Sequence, residues 1–184
     1  MNFRDKLREH GLGWILRDFW YRMDWRKPDK ESVKLLLQRE YEFFWKFVHI
    51  LPNYKNRSRD KRMIAVLRWV IDNIIYTSDM MKFNVVEKWQ DVSETLHYKT
   101  GDCEDGAILI FAWARYLGIS SADIKLVCGK VTEGGHAWIE YKADYDNEWY
   151  KIDWCFHSDS NYIENRKNND SKYLEKWFEV TDYN

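Results

Sequence analysis

The stretch formed by residues 103–117 is the strongest structural signal in this sequence. Its apolar members predict a helix that Gly118 ends; they are Ala107, Ile108, Ile110, Phe111, Ala114 and Leu117. Three strand patterns follow the helix, at residues 125–131, 136–142 and 147–154. A helical part of the chain that is followed by neighbouring strands indicates an α+β fold.

Apolar residues at helical spacing also predict three helices in the first part of the chain, at residues 12–23, 30–50 and 58–75. Amphipathic helices of this kind can lie on a membrane or bind a partner. Packing against the rest of the same domain is their commoner fate, and we expect it here. We therefore interpret residues 1–80 as an N-terminal helical region that belongs to the same domain as residues 81–184.

The length of 184 residues favours a single domain with its own core. No stretch approaches the apolar length of a membrane span, and the first residues lack the apolar run of an export signal. We therefore expect a cytoplasmic protein in which Cys103, Cys128 and Cys155 are reduced thiols. In an oxidising compartment, Cys128 and Cys155 would be the expected pair. The sequence makes no prediction about the oligomeric state.

The net charge of −1 is divided unevenly along the chain. Residues 1–100 hold 20 Lys and Arg against 14 Asp and Glu, whereas residues 101–184 hold 9 against 16. The acidic second half favours neutral or basic substrates over nucleic acid. The basic residues of the first half are interleaved with acids, which also argues against nucleic-acid binding. Mutual attraction between two faces of one domain explains the same division equally well.

The last two strand patterns are expected to bring a histidine and an aspartate together. A four-residue hairpin loop at residues 143–146 pairs Lys142 with Asn147, and the same register pairs His136 with Asp153. Such pairs lie about 5 Å apart on one face of a sheet, within hydrogen-bonding reach for an imidazole and a carboxylate. A slip of one residue would place them on opposite faces.

Cys103 is predicted in the first turn of its helix, where unpaired backbone N–H groups and the helix dipole favour a thiolate. The same N–H groups can bind the oxyanion of a tetrahedral intermediate. Negative charge on the neighbouring Asp102, Glu104 and Asp105 opposes ionisation, unless these carboxylates cap the helix, pair with cations or bind a metal. A thiol, a histidine base and an orienting carboxylate form the constellation of a thiol enzyme.

The remaining cysteines and histidines fit this constellation less well. An isolated buried cysteine usually serves packing, and we assign this role to Cys128 and Cys155. His97 and His157 are alternative bases. Neither begins a strand that also provides a paired carboxylate, so the sequence favours His136.

Four motifs resemble the transglutaminase-like superfamily of papain-like thiol enzymes, especially its bacterial transglutaminase-like cysteine proteinases. They are Trp-Gln-Asp-Val-Ser-Glu-Thr-Leu at 89–96, Gly-Asp-Cys-Glu-Asp at 101–105, Gly-His-Ala-Trp at 135–138 and Ile-Asp-Trp at 152–154. The resemblance spans residues 85–155. It implies a papain-like, transglutaminase-like core in residues 81–184, in which a catalytic helix packs on a small antiparallel sheet.

By this resemblance, Cys103 would be the nucleophile, His136 the general base and then the acid, and Asp153 the orienting carboxylate. The family holds the oxyanion with the backbone N–H of the cysteine and with an upstream Trp or Gln. Trp89 and Gln90 are both candidates for that second donor.

The resemblance also bears on metals. We expect that this protein requires no cofactor, with calcium as the alternative, since some proteases of the family bind calcium through acidic residues that flank the nucleophile. Asp102 and Glu104 occupy those positions. Two carboxylates supply only part of the six to eight oxygens that calcium takes.

Two positions depart from the family pattern. Val92-Ser93 replaces a common proline, and Gly106 stands where Tyr or Phe often follows the cysteine motif. The glycine is expected to leave the wall beside the nucleophile open.

The predicted function is that of a cysteine peptidase or amidase that acts on a protein or peptide through a thioester acyl-enzyme. Transglutaminase-type transfer of the acyl group to an amine is one alternative, and a catalytically silent binding domain on the same fold is the other.

Overall fold

The computed structural model describes residues 29–156 and 171–182. The helices are α1 (Lys30–Phe43), α2 (Arg59–Asn73), α3 (Asp79–Phe83), α4 (Val92–Tyr98) and α5 (Cys103–Tyr116). The strands are β1 (Ile75–Tyr76), β2 (Thr100–Gly101), β3 (Ile124–Val131), β4 (Gly134–Lys142), β5 (Trp149–Ile152) and β6 (Tyr173–Val180). Helices that precede an antiparallel sheet confirm the predicted α+β class.

The predicted helices at residues 30–50 and 58–75 are both present, and both are shorter than predicted. Asp29 caps α1, because its Oδ1 accepts the backbone N–H of Ser32 at 2.9 Å. After Phe43 the chain tightens into a 3₁₀ turn at Phe44–Phe47. Helix α2 ends at Asn73, since the next residue is extended. The predicted helix at 12–23 lies outside the described residues.

Four strands form one antiparallel sheet in the order β5-β4-β3-β6. The three strand patterns in the sequence correspond to β3, β4 and β5. Strand β6 completes the sheet beside β3 and was not among the predicted strands. Strands β1 and β2 form a separate parallel pair of two residues each, which is too short for a periodic signal.

The predicted register of the β4–β5 hairpin is wrong by two residues. Lys142 pairs with Trp149 rather than with Asn147, because the loop is longer and Asn147 adopts a left-handed conformation with φ 64°. Because side chains alternate with a period of two, an even shift keeps every side chain on its predicted face. Asp153 follows the last residue of β5 and is diagonal to His136 rather than directly opposite.

Helix α5 is the centre of the fold. Its side chains are buried from Glu104 to Arg115. It contacts β3 and β4 of the sheet and also α1, α2 and α4. The apolar stripes of α1 and α2 supply buried residues such as Leu37 and Val66, so these two helices pack against the core as the sequence predicted. In the described part of the chain, every helix is too short or too polar to cross a membrane.

Candidate functional site

His136 and Asp153 form a direct side-chain contact. The Nε2 atom of His136 lies 2.7 Å from Oδ2 of Asp153. Both residues are buried, with 9% and 1% of their surface exposed. A hydrogen bond removed from water fixes the plane of the imidazole and leaves Nδ1 as the nitrogen that can exchange a proton.

Asp153 is held as a carboxylate by several donors. Its Oδ2 also accepts the hydroxyl of Tyr173 at 2.7 Å, and its Oδ1 accepts the backbone N–H of Cys155 at 2.9 Å. Burial alone would raise the pKa of Asp153, but the hydrogen bonds from His136, Tyr173 and Cys155 outweigh it and lower the pKa below its usual value. Nε2–H of His136 therefore donates to an ionised partner.

Aromatic rings on two sides hold the imidazole of His136. Trp138 is stacked with it at a centroid distance of 6.1 Å, and the ring of Phe156 lies at 4.8 Å. Trp138 contacts Tyr173 in turn, at 4.9 Å. The sequence motif at 135–138 therefore supplies both the histidine and one of the rings that orient it.

Trp154 links the carboxylate to the helix that begins with Cys103. Its indole Nε1 donates to the backbone carbonyl of Cys103 at 3.2 Å. The indole lies on Gly106, where an added Cβ would be 2.2 Å from Nε1. Gly106 was expected to leave the wall beside the nucleophile open; that expectation is wrong, because Trp154 fills the space that the missing side chain provides.

Cys103 lies at the start of α5 with Asp102 as the N-cap residue, and it is partly exposed. Its thiol donates to Oε2 of Glu104 at 3.1 Å. Burial around the sulfur, followed by the negative charges of Glu104 and Asp102, raises the pKa of Cys103 well above its usual value. Without a compensating cation, the thiol of Cys103 is protonated at neutral pH.

The two predicted oxyanion donors have other partners in the structure. Gln90 is fully buried, and its amide Nε2 donates to Asp105 and to the carbonyl of Thr100. The indole N–H of Trp89 donates to Oε1 of Glu87 at 2.8 Å. The side chain of Gln90 therefore braces the first turn of α5, which sequence motifs alone did not indicate.

Three carboxylates gather beside the start of α5. The carboxylate oxygens of Asp79, Asp102 and Glu104 lie within 4.8 Å of one another. Asp79 and Glu104 are each only 3% exposed. We call these three residues the acidic cluster. The sequence predicted Asp102 and Glu104 at this place, whereas Asp79 comes from α3 and carries no recognisable motif.

The acidic cluster fits a hard divalent cation. Oδ1 of Asp102 and Oε1 of Glu104 are buried and have no hydrogen-bond partner among the described residues. Burial, followed by the charge of Asp102, raises the pKa of Asp79 to about 7. Burial, followed by the charges of Asp105 and Asp102, raises the pKa of Glu104 well above normal. Calcium binds to oxygen ligands, above all to carboxylates, and the unpaired carboxylate oxygens of the acidic cluster are ligands of this kind.

The surroundings contain further residues that sequence reasoning missed. Tyr76 of β1 is 56% exposed, and its ring lies 5.8 Å from that of Trp154. Together with the exposed Ile75, it presents an apolar surface next to the start of α5. The alternative base His97 is exposed at the end of α4, against Tyr98. His157 lies outside the described residues.

The chain resembles several solved structures. The calcium-bound LapG of Legionella pneumophila superposes with a TM-score of 0.53 at 14% identity, over 82% of this chain and 75% of that chain. The EGTA-treated form of the same protein gives a TM-score of 0.48 at 17% identity, over 68% and 70%. A chain described as a TGase gives 0.41 at 16% identity, over 89% and 43%.

Comparison of the sequence identifies the family. No curated protein matches the chain. The sequence model of the transglutaminase-like superfamily, in contrast, matches residues 50–154. The match begins at residue 50, upstream of the four sequence motifs, and includes helix α2. Because it covers more than half of the 184 residues, the protein belongs to the transglutaminase-like superfamily.

Proposed function

We propose that the protein is a cysteine-dependent peptidase or amidase with Cys103, His136 and Asp153 as its triad. The observation that carries the proposal is the buried hydrogen bond between His136 and Asp153. The next residue, Trp154, ties the segment of Asp153 to the start of the helix that bears Cys103. A buried, fully satisfied carboxylate that fixes a histidine is the orienting pair that an activated thiol requires.

In the proposed reaction, Nδ1 of His136 takes the proton of the Cys103 thiol, and the thiolate attacks the carbonyl carbon of an amide. The tetrahedral intermediate collapses when His136 returns the proton to the leaving amine, and a thioester is left on Cys103. Water, deprotonated by His136, then releases the acid and restores the thiol. Asp153 keeps the imidazole oriented and stabilises its protonated form.

The oxyanion would be held by the backbone N–H of Cys103, at the positive end of α5, and by a second donor. Trp89 is the better candidate for the second donor. Its indole N–H donates to the acceptor Glu87, whereas the fully buried amide of Gln90 donates to both Asp105 and the carbonyl of Thr100.

The acidic cluster would hold calcium. The bound ion would supply positive charge beside the sulfur, where burial, followed by the charges of Glu104 and Asp102, otherwise raises the pKa of Cys103. Asp79 would join the two residues that flank the nucleophile and give three protein carboxylates. The calcium-bound and EGTA-treated forms of LapG agree with such a site in a protein of the same fold.

We propose a protein or peptide as the substrate. Ile75 and Tyr76 form an exposed apolar surface beside Trp154, and such a surface suits the side chains of a polypeptide. Their strand β1 is paired only with β2 among the described strands.

The test is the alkylation rate of each cysteine with iodoacetamide in calcium, followed by peptide mapping. We expect Cys103 to react faster than Cys128 and Cys155, and His136→Ala to slow Cys103 by about 100-fold or more. His97→Ala, on an exposed histidine, is the matched control and should leave the rate unchanged. Equal rates at Cys103 and Cys128, or no effect of His136→Ala, would contradict the proposal.

The reaction itself is tested by mass spectrometry of proteins incubated with the native chain and with Cys103→Ala. New peptide termini that appear only with the native chain support hydrolysis. Incorporation of a dansylated amine into a glutamine-rich protein, with no new termini, would replace hydrolysis by acyl transfer. An unchanged biological effect of Cys103→Ala would instead identify a binding domain.

A further inference from the structure

A second group of candidate metal ligands differs in chemistry from the acidic cluster. His136, Asp153 and Cys155 each offer one ligand atom, and these three atoms lie within 4.8 Å of one another. The group combines a nitrogen, an oxygen and a sulfur. Cys155 is partly exposed as a residue.

We propose that His136, Asp153 and Cys155 bind a zinc ion, and that this ion blocks the proposed active site. Zinc accepts imidazole nitrogen, carboxylate oxygen and thiolate sulfur at bond lengths of about 2.0–2.3 Å. Two atoms that share one zinc ion therefore lie about 3–4 Å apart. The three ligand atoms of this group lie within 4.8 Å of one another, close to that range.

The nature of the ligand atoms separates this site from the acidic cluster. Sulfur and imidazole are soft or intermediate ligands that favour zinc over calcium, whereas Asp79, Asp102 and Glu104 offer only hard oxygens. The two sites are therefore selective for different ions. Calcium would be retained at the acidic cluster while zinc binds next to it.

The surroundings of Asp153 suit a metal ligand. Its carboxylate accepts the Tyr173 hydroxyl and the backbone N–H of Cys155, and these bonds hold it in place. Carboxylates that bind metals are usually oriented by hydrogen bonds of this kind. With three protein ligands, a zinc ion keeps one further position for water or for a substrate group.

The expected consequence is reversible inhibition. His136 Nε2 and Asp153 Oδ2 now share a hydrogen bond of 2.7 Å. A zinc ion bound to both residues would replace the proton of this hydrogen bond. Asp153 would then no longer hold the imidazole of His136 in the orientation that a general base needs. Zinc binding itself does not depend on the proposed function; only its effect on activity does.

Cobalt(II) is the probe for binding, because it replaces zinc and shows a thiolate-to-metal charge-transfer band in the near ultraviolet. The measurement uses the full chain with Cys103→Ser, so that the nucleophile contributes no thiolate, in excess calcium to fill the acidic cluster. We expect one equivalent of cobalt to produce the band and one equivalent of zinc to abolish it.

Matched double variants assign the sulfur. Cys103→Ser with Cys155→Ser should lose the band, and Cys103→Ser with Cys128→Ser should keep it. Adding His136→Ala to Cys103→Ser should weaken cobalt binding by at least about tenfold. No band in Cys103→Ser, or a band that survives Cys155→Ser, would overturn the proposal.

Alkylation of Cys103 in the otherwise native chain tests the inhibitory effect. Each protein is compared with and without zinc, and phenanthroline is added to remove zinc while calcium stays bound. We expect zinc to slow the alkylation of Cys103 in the native protein by at least about tenfold. The Cys155→Ser variant should lose most of this slowing. A thiol that is unreactive even without zinc would count against the proposed function and would leave the cobalt result unaffected.

Discussion

The indole of Trp154 donates to the backbone carbonyl of Cys103 at 3.2 Å and lies against Gly106 of the same helix. One side chain thus connects the segment that carries Asp153 to the first turn that carries the thiol. The contact depends on glycine, since an added Cβ would be 2.2 Å from the indole nitrogen. It explains how two regions that are 50 residues apart in sequence are held in one site.

The Gly106→Ala variant is expected to displace Trp154. Overpacking of this kind costs about 1–3 kcal/mol of unfolding free energy, and the bond to Cys103 is lost with it. Both a lower thermal midpoint and slower alkylation of Cys103 should follow.

Trp154→Phe keeps most of the ring and removes only the N–H donor, so it is the matched control for Gly106→Ala. It should lower the stability by about 1 kcal/mol. An unaltered thermal midpoint in Gly106→Ala would contradict the packing described here.

The Tyr173→Phe variant tests the second donor to Asp153. The lost hydroxyl leaves the carboxylate with fewer donors, so His136 is held less firmly and the alkylation of Cys103 should slow several-fold. A hydrogen bond to a charged group contributes about 1.5–3 kcal/mol, and a similar loss of unfolding free energy is expected.

Tyr141→Phe is its matched control, because that tyrosine donates to Asp60 at 2.6 Å on another part of the fold. It should also lower stability while leaving the alkylation rate and its pH profile unchanged. If both variants change the alkylation rate equally, Tyr173 has no positioning role.

Trp89→Phe should separate oxyanion binding from thiol activation. Loss of one oxyanion donor typically lowers kcat by about 100- to 1,000-fold. Alkylation by iodoacetamide forms no oxyanion, so its rate should stay within about twofold of the native rate. A parallel fall in both rates would indicate that Trp89 serves only the packing of the site.

Removal of calcium should destabilise the native chain. An ion that is present at 100 times its dissociation constant stabilises the folded state by about 2.7 kcal/mol. Glu104→Gln should abolish most of the calcium effect on the thermal midpoint, and without calcium it should be more stable than the native chain, because it removes one buried negative charge. Asp72→Asn, on an exposed position of α2, is the control and should retain the full calcium effect.

Glu40 of α1 predicts a pH dependence of stability. Its carboxylate accepts the backbone N–H of Val92 at 3.1 Å. Burial, followed by the charge of Asp91, raises the pKa of Glu40. The carboxyl group of Glu40 therefore binds a proton more tightly in the folded protein than in the unfolded chain. As pH rises above about 4.3, the usual pKa of a glutamate, the contribution of Glu40 to the unfolding free energy falls.

Glu40→Gln cannot ionise, so its unfolding free energy should improve relative to that of the native chain between about pH 4 and pH 7. Denaturant titrations at several pH values measure the difference. Glu42→Gln, exposed on the same helix, is the control. A difference that is constant across this range would show that Glu40 has no raised pKa.

The order of the elements was predictable because its signals are local. Apolar spacing and Gly118 predict helix α5, which ends in the expected turn. Alternation predicts β4, and it places His136 on the face that Asp153 shares even though the hairpin register was two residues off. Side-chain alternation tolerates an even error of this kind.

The composition of the site was less predictable, because it depends on contacts between distant segments. Asp79 joins the acidic cluster from a five-residue helix, and Tyr173 reaches Asp153 from a strand with no clear alternation. Gln90 resembles an oxyanion donor in the motif, yet it is buried against Asp105. A motif gives the residue type but not the partner that tertiary packing supplies.

The sequence by itself determined the α+β class, the helix that begins with Cys103 and the common face of His136 and Asp153, because periodicity and capping act over a few residues. Only the tertiary structure decided the contacts that hold the site: Trp154 on Gly106, Tyr173 on Asp153 and Asp79 beside Glu104. These contacts join segments far apart in the chain. Their free energies depend on shape and burial, which exist only once the core has formed.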